Sequence, residues 1–232
     1  MALLPKLVEL WLDLVSLLWP TACVGCGEPD RDCCLPCRVE LRRPAPLLRP
    51  EVGTPCFVRG AYAGVLRATL VAFKHGGRIG LAGELGAQLR APLGAAISAC
   101  RGPAAPVIVT APSRRAGTRR RGFRHVELLV SRALRGQGVR ALRVAALRAG
   151  PGRRSQVGLA ADERARNAGR VRVRASRCAV LLGREVILVD DVITTGSTVL
   201  ACRAALAAEG AIVVAIVALC HAQRRDTRGI QV

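Results

Sequence analysis

The sequence predicts an α/β protein, a parallel sheet with flanking helices preceded by a helix and a small cysteine module. Three observations predict it. Apolar strand-like runs alternate with helical stretches between residues 57 and 219. Val186-Ile187-Leu188-Val189 is apolar without alternation, as in a strand buried on both faces. Cys23/Cys26 and Cys34/Cys37 form two C-x-x-C pairs ahead of that alternating body.

Composition bounds the answer. The chain has 232 residues, one domain plus an extension at about 150 residues per domain. Hydrophobic residues make up 51% and charged residues 22%, which excludes a disordered chain. No apolar run reaches the roughly 18–20 residues that cross a bilayer. Net charge is +20, and of the 36 basic residues only Lys6 and Lys74 are lysines. Such a field attracts phosphates and polyanions, so a phosphorylated sugar or nonspecific nucleic acid is the expected class of partner. With aromatics at 3% the sequence is poorly suited to stacking single-stranded bases.

Each element follows in order. Residues 1–20 carry a helical apolar stripe through Leu3, Leu7, Leu10, Leu14 and Leu17. Glu9 and Asp13 interrupt it, and no small-residue cleavage site follows, so it reads as a packing helix and not a leader. The expected compartment is then the reducing cytoplasm.

Residues 21–50 read as a zinc module. Two C-x-x-C knuckles aim four thiolates, from Cys23, Cys26, Cys34 and Cys37, at one point, the tetrahedral sulfur set that suits Zn²⁺. A disulfide or a redox pair is the competing reading, disfavoured in a reducing compartment. Cys33 competes with Cys34 for the third position, and Cys34 restores the C-x-x-C spacing. Pro44, Pro46, Pro50, Gly53 and Pro55 then make a connector.

Residues 51–222 form the main domain, and 223–232 a tail. Strands are expected at 57–62, 107–109, 139–147, 171–174, 185–189 and 211–219. Helices are expected from Val65 to His75, over 80–100 with a break near Pro92, over 123–135 and from Gly196 to Glu209. Residues 148–169, rich in Arg, Gly, Gln and Asn, read as an exposed loop.

The sharpest signal is VILVDDVITTGST. A buried strand delivers Asp190 and Asp191, and a loop containing Thr194, Thr195, Gly196, Ser197 and Thr198 opens a helix. Unpaired N–H groups at a helix start, with hydroxyls around them, cradle a phosphate monoester. Adjacent carboxylates accept hydrogen bonds from vicinal hydroxyls. A ribose 5-phosphate offers both groups. Neither a Walker A loop nor a dinucleotide fingerprint is present.

This segment resembles the signature of type I phosphoribosyltransferases, which bind phosphoribosyl pyrophosphate (PRPP). More of the chain resembles one branch, the ComF/GntX family. AFKHGGR, VTAPSRR, RRRGFRHVELL and SQVGLAADERARN follow the cysteine module in that family's order. Arg124-His125 stand where the family usually has Asn-Gln, and Thr110-Ala111-Pro112-Ser113 has fewer prolines than usual. Thr194 occupies the position of an Asp that can assist the base in purine-salvage relatives.

The resemblance implies a type I phosphoribosyltransferase-like sheet and PRPP with Mg²⁺ as ligand. It places the 5-phosphate on Thr194 to Thr198 and the ribose hydroxyls on Asp190 and Asp191. Ser113, Arg114 and Arg115 would face the pyrophosphate. Lys74 would form one wall, and Arg153 and Gln156 would belong to a closing loop. His125 reads mainly as helix-start packing. Two function classes stay open: a transferase (a glycosyltransferase using PRPP with an unknown acceptor) and a non-catalytic PRPP-binding or DNA-processing protein. The latter would act with a partner in competence and DNA uptake.

Overall fold

The computed structural model describes residues 21–29, 31–113, 115–150 and 171–222. The expected N-terminal helix, Arg114, Arg153, Gln156 and the tail lie outside the described residues. So do the side chains of Arg115, Ala116 and Arg120.

The elements in chain order begin with α1 (Leu35–Arg42), β1 (Cys56–Ala61), α2 (Gly64–His75) and α3 (Ala82–Ser98). Next come β2 (Val107–Thr110), α4 (Arg115–Arg121), α5 (His125–Leu134), β3 (Leu142–Val144), β4 (Leu147–Ala149) and β5 (Val171–Val173). A short turn of helix, α6 (Cys178–Leu181), precedes β6 (Glu185–Ile193), α7 (Ser197–Ala207) and β7 (Ile212–His221). Five strands form one sheet in the order β1-β7-β6-β2-β3, and every pairing in it is parallel. β4 and β5 pair antiparallel as a separate ribbon.

Period-two alternation divides the core. Ile187 and Val189 of β6 pack with Leu85, Leu89 and Leu129 on the face covered by α2, α3 and α5. Val186 and Leu188 pack with Val199, Cys202 and Leu206 of α7 on the other face. The chain moves from β2 outward to β3, then crosses to β6 on the other side of β2. That reversal places a crevice beyond the ends of β2 and β6, where sheets of this kind bind ligands.

Several elements differ from expectation. β6 continues to Ile193 because β7 runs on beside it, pairing Val192 with Cys220 and Ile193 with His221. The acids therefore lie inside a strand and not after one. α3 passes through Pro92 without a break, its ring buried in the core. Residues 139–147 give part of two short strands instead of one. α1 and α4 were not foreseen, since neither carries an apolar stripe of useful length.

The cysteine segment shares the main core, because Cys23, Cys34, Cys37 and Leu41 pack with Val65 and Leu70. Polar ties reinforce this. Arg78 pairs with Asp32 at 3.3 Å, and Arg42 with Glu84 at 2.9 Å. Arg59 donates to the Leu41 and Arg43 carbonyls at 2.8 and 2.9 Å.

Two glycines of α3 test the packing. A Cβ on Gly86 would lie 2.5 Å from Arg132 Cβ and 3.1 Å from the Leu129 carbonyl, whereas one on Gly94 meets nothing within 4 Å. Gly86→Ala should cost about 1–3 kcal/mol in urea unfolding. Gly94→Ala should be stabilising by about 0.4–1 kcal/mol, since it only restricts the unfolded chain.

Candidate functional site

The crevice is built from three chain segments. β2 ends in Thr110 and leads to Ala111-Pro112-Ser113, tied to β6 by the Ala111 N–H bonding the Val189 carbonyl at 2.8 Å. β6 ends at Ile193, and exposed Thr194 and Thr195 lead into the turn at Gly196. Gly196 takes φ +72°, a conformation that favours glycine, and stands at the start of α7. Gly196 has no side chain to cap that first turn, and the helix presents its N-terminal end there. The Thr195 and Ser197 hydroxyls lie 3.0 Å apart beside it.

A Cβ on Gly196 would lie 2.9 Å from Val52 Cγ1, in the connector. The sequence suggests a glycine kept small for a ligand. The structure adds a glycine kept small by its own chain. Arg203 of α7 holds the same connector, donating to the Gly53 carbonyl at 2.5 Å and to Thr54 Oγ1 at 2.7 Å.

Asp190 and Asp191 separate because neighbours on a strand face opposite ways. Asp190 is in step with Val186 and Leu188, on the α7 side, and is half-buried. Its Oδ1 accepts the Asp191 N–H at 2.8 Å. Asp191 is in step with Ile187 and Val189 and is buried, its side chain 8% exposed. Lys74 Nζ lies 2.9 Å from Asp191 Oδ2, and His125 Nε2 bonds the same oxygen. Burial alone would raise this carboxyl's pKa. The His125 hydrogen bond and the Lys74 charge outweigh burial and hold it well below the usual carboxylate range.

His125 is the group that sequence reasoning undervalued. It starts α5, is buried, and joins the β6 acid to the loop after β2. Its Nδ1 lies 3.3 Å from Ser113 Oγ and 3.2 Å from Arg121 Nη2. A guanidinium only donates, so Nδ1 accepts and the ring proton sits on Nε2, aimed at Asp191. The Arg124-His125 departure from the family's usual Asn-Gln was the signal available. Lys74, expected as an open wall, is spent on Asp191. Of the other expected residues, Arg115 contributes the first residue of α4.

The cysteine cluster comes from the segment that precedes β1. The sulfurs of Cys23, Cys26, Cys34 and Cys37 lie within 4.8 Å of one another, close enough to share one metal ion. Cys26 and Cys34 sulfurs are 3.5 Å apart. Burial would raise the Cys23 thiol, but the backbone N–H groups of Cys34, Cys26 and Gly25 bring it down to about 6. Cys33 is 1% exposed in the core, outside that group of four, and burial pushes its thiol up to about 11. A Cβ on Gly25 would lie 2.6 Å from Cys37 Sγ, so glycine is needed for the chain to close around the sulfurs.

The Asp191 pairing sets a pH signature. A carboxyl depressed in the folded state adds stability that is fully present above its unfolded pKa of about 4 and is lost as pH falls below that. Asp191→Asn should cost about 3–5 kcal/mol at pH 7 by leaving Lys74 without its partner. Urea unfolding should show the gap between wild type and variant narrowing below about pH 4. A gap independent of pH would contradict the pairing.

Residues 141–230, less than half of the chain, match the family model of the phosphoribosyl transferase domain. Among solved structures, a hypoxanthine phosphoribosyltransferase from Staphylococcus aureus is similar over 65% of this chain and 67% of its own. The identity is 10% and the TM-score 0.35. No curated protein matches the sequence. The matched stretch runs from β3 past β7 and contains the Asp190–Thr198 segment, and over it the chain is similar to the phosphoribosyl transferase domain family.

Proposed function

We propose that the crevice binds PRPP and that the protein is a phosphoribosyltransferase of ComF-like type, transferring to an acceptor the sequence does not identify. The observation that carries this reading is the left-handed Gly196 opening α7 after β6, the strand paired with β2, which leads to the Ser113 loop. In this reading the first N–H groups of α7, with Thr194, Thr195, Ser197 and Thr198, take the 5-phosphate. Asp190 accepts from a ribose hydroxyl, and Asp191 stands behind it, positioned by Lys74 and His125. The pyrophosphate lies toward Ser113 and the arginines that follow. Mg²⁺ would arrive on the substrate's own oxygens and neutralise charge building on the leaving pyrophosphate. The cysteine cluster would hold one structural Zn²⁺, which its four-sulfur donor set suits.

A PRPP-binding protein without turnover is the alternative, and release of pyrophosphate from PRPP separates the two. Net charge of +20 also supports contact with nucleic acid, which would weaken steeply with added salt.

Calorimetry with millimolar PRPP and Mg²⁺ should detect binding to the zinc-loaded chain. Asp190→Asn should weaken it roughly ten- to a hundredfold, the loss of one charge-assisted hydrogen bond, and leave inorganic phosphate nearly unaffected. No heat from folded, zinc-loaded protein would overturn the reading.

Metal analysis should find one zinc per chain. Cys34→Ala should lose it and Cys33→Ala retain it. Chelation should expose the buried Cys23, Cys34 and Cys37 to a thiol reagent and lower stability. Full zinc content in Cys34→Ala would reassign the third position.

A further inference from the structure

α1 carries apolar residues on two sides. Cys37 and Leu41, four apart, are buried in the core. Leu35 and Val39, also four apart, are 73% and 59% exposed. Two residues turn a helix by about 200°, so the second pair points away from the first. One exposed leucine needs no explanation. Two on one stripe of a helix whose other stripe is already buried make a seam on which a second helix can lie.

The chain enters the structure beside that seam. Cys23 Sγ accepts the N–H of Cys34 at 3.3 Å, and Cys34 is the residue before α1. Residues 1–20, outside the described residues, join the chain three positions before Cys23 and so at the N-terminal end of α1. Twenty residues wound as a helix span about 30 Å, well over the length of α1, so reach is not limiting. Such a helix would carry Lys6, Glu9, Asp13 and Ser16 on one stripe. Leu4, Leu7, Trp11, Leu14 and Leu18 fall on the opposite stripe in alternating steps of three and four, the spacing of one helix laid along another.

Charge and attachment select this occupant. Arg38, Arg42 and Arg43 are exposed along α1 and after it, against Glu40 and the Glu84 that Arg42 holds at 2.9 Å. Glu9 and Asp13 bring acids to those arginines, whereas a second copy would bring a chain of net charge +20. A membrane-surface helix is rich in Lys and Arg on its polar side, where this segment has Lys6 and two acids. A short tether also sets an effective concentration on the order of millimolar, so a separate partner competes poorly.

We propose that residues 1–20 form a helix that docks, with its Leu4–Leu18 stripe inward, on the Leu35/Val39 side of α1 in the same chain. The proposal is independent of the phosphoribosyl-transfer reading. It gives the helix that bears Cys37 cover on both sides.

Both tryptophans of the chain, Trp11 and Trp19, lie in this segment, so tryptophan fluorescence of the full zinc-loaded chain reports on it alone. Emission should be blue-shifted and shielded from acrylamide relative to the same protein in urea. Leu35→Ser combined with Val39→Ser should lower the docked-to-undocked ratio about tenfold or more, read as quenching that approaches the urea value. Zinc content and far-UV circular dichroism of the body should be kept, since both side chains are exposed. Leu182→Ser, similarly exposed but ahead of β6, should leave the quenching unchanged. As a second measurement, p-benzoylphenylalanine in place of Val39 should cross-link on irradiation to residues 1–20 of its own chain. Tryptophans as open to acrylamide in the native protein as in urea, or shielding that survives the double substitution, would overturn the proposal. Shielding that grows with protein concentration, with cross-links between chains, would overturn it in favour of a second copy. A blue shift seen only after adding phosphatidylglycerol vesicles would overturn it in favour of a membrane surface.

Discussion

A carboxylate buried at the end of a parallel sheet is tolerated only with opposite charge and hydrogen bonds in place. Asp191 meets that condition with two groups, Lys74 from the last turn of α2 and His125 from the first of α5. Lys74 also stands where a cation suits a helix C-terminus. One oxygen thereby fixes the ends of two helices against β6. His125 carries the tie further, because its second nitrogen accepts at the Ser113 loop. The loop after β2, the end of β6 and the start of α5 are held as one unit, and the crevice takes its shape from them.

The parallel sheet was legible because its central strands are apolar without interruption, as Val186 to Val189 and Ala215 to Leu219 illustrate. The end of β6 was not. Two adjacent acids followed by Val-Ile-Thr-Thr read locally as a strand ending at Val189. What prolongs it is β7, whose Cys220 and His221 pair with Val192 and Ile193. Once the strand continues, alternation turns the two acids to opposite faces, and the expectation of a matched pair on one sugar gives way to one outward acid and one inward. His125 was undervalued for a similar reason. Its partner is 66 positions away, and nothing in the residues around it announces a buried carboxylate. α4 escaped notice because Arg-Ala-Gly-Thr-Arg-Arg-Arg has no apolar face to mark a helix.

The cysteine segment and the phosphate turn are separate in sequence yet joined mechanically. From Leu41 the chain passes through Leu48, which pairs with Val58 beside β1, to Val52 against Gly196 and Gly53 under Arg203. The connector is therefore wedged against the turn it precedes. A positive-φ turn has little room to move when a valine methyl group stands where a Cβ would be. The cysteine segment, whose Cys23, Cys34 and Cys37 are buried in the main core, is thereby linked to the turn along a short anchored path.

Charge at this end of the sheet is sorted by depth. The inward acid is neutralised from within, by groups that are themselves held by packing. Toward solvent the balance reverses: Arg119, Arg124, Arg148 and Arg174 line a cavity beside the Ser113 loop whose one carboxylate, Glu127, is already paired. A cation brought there would add repulsion to the desolvation of its own charge, whereas the field of these arginines favours an anion. The same reasoning applies at the end of β6, where the N-terminus of α7 favours negative charge. In the proposed reading the 5-phosphate and the pyrophosphate lie at two ends of one ligand and repel each other in water, and the positive helix start and the arginines near Ser113 would offset that repulsion.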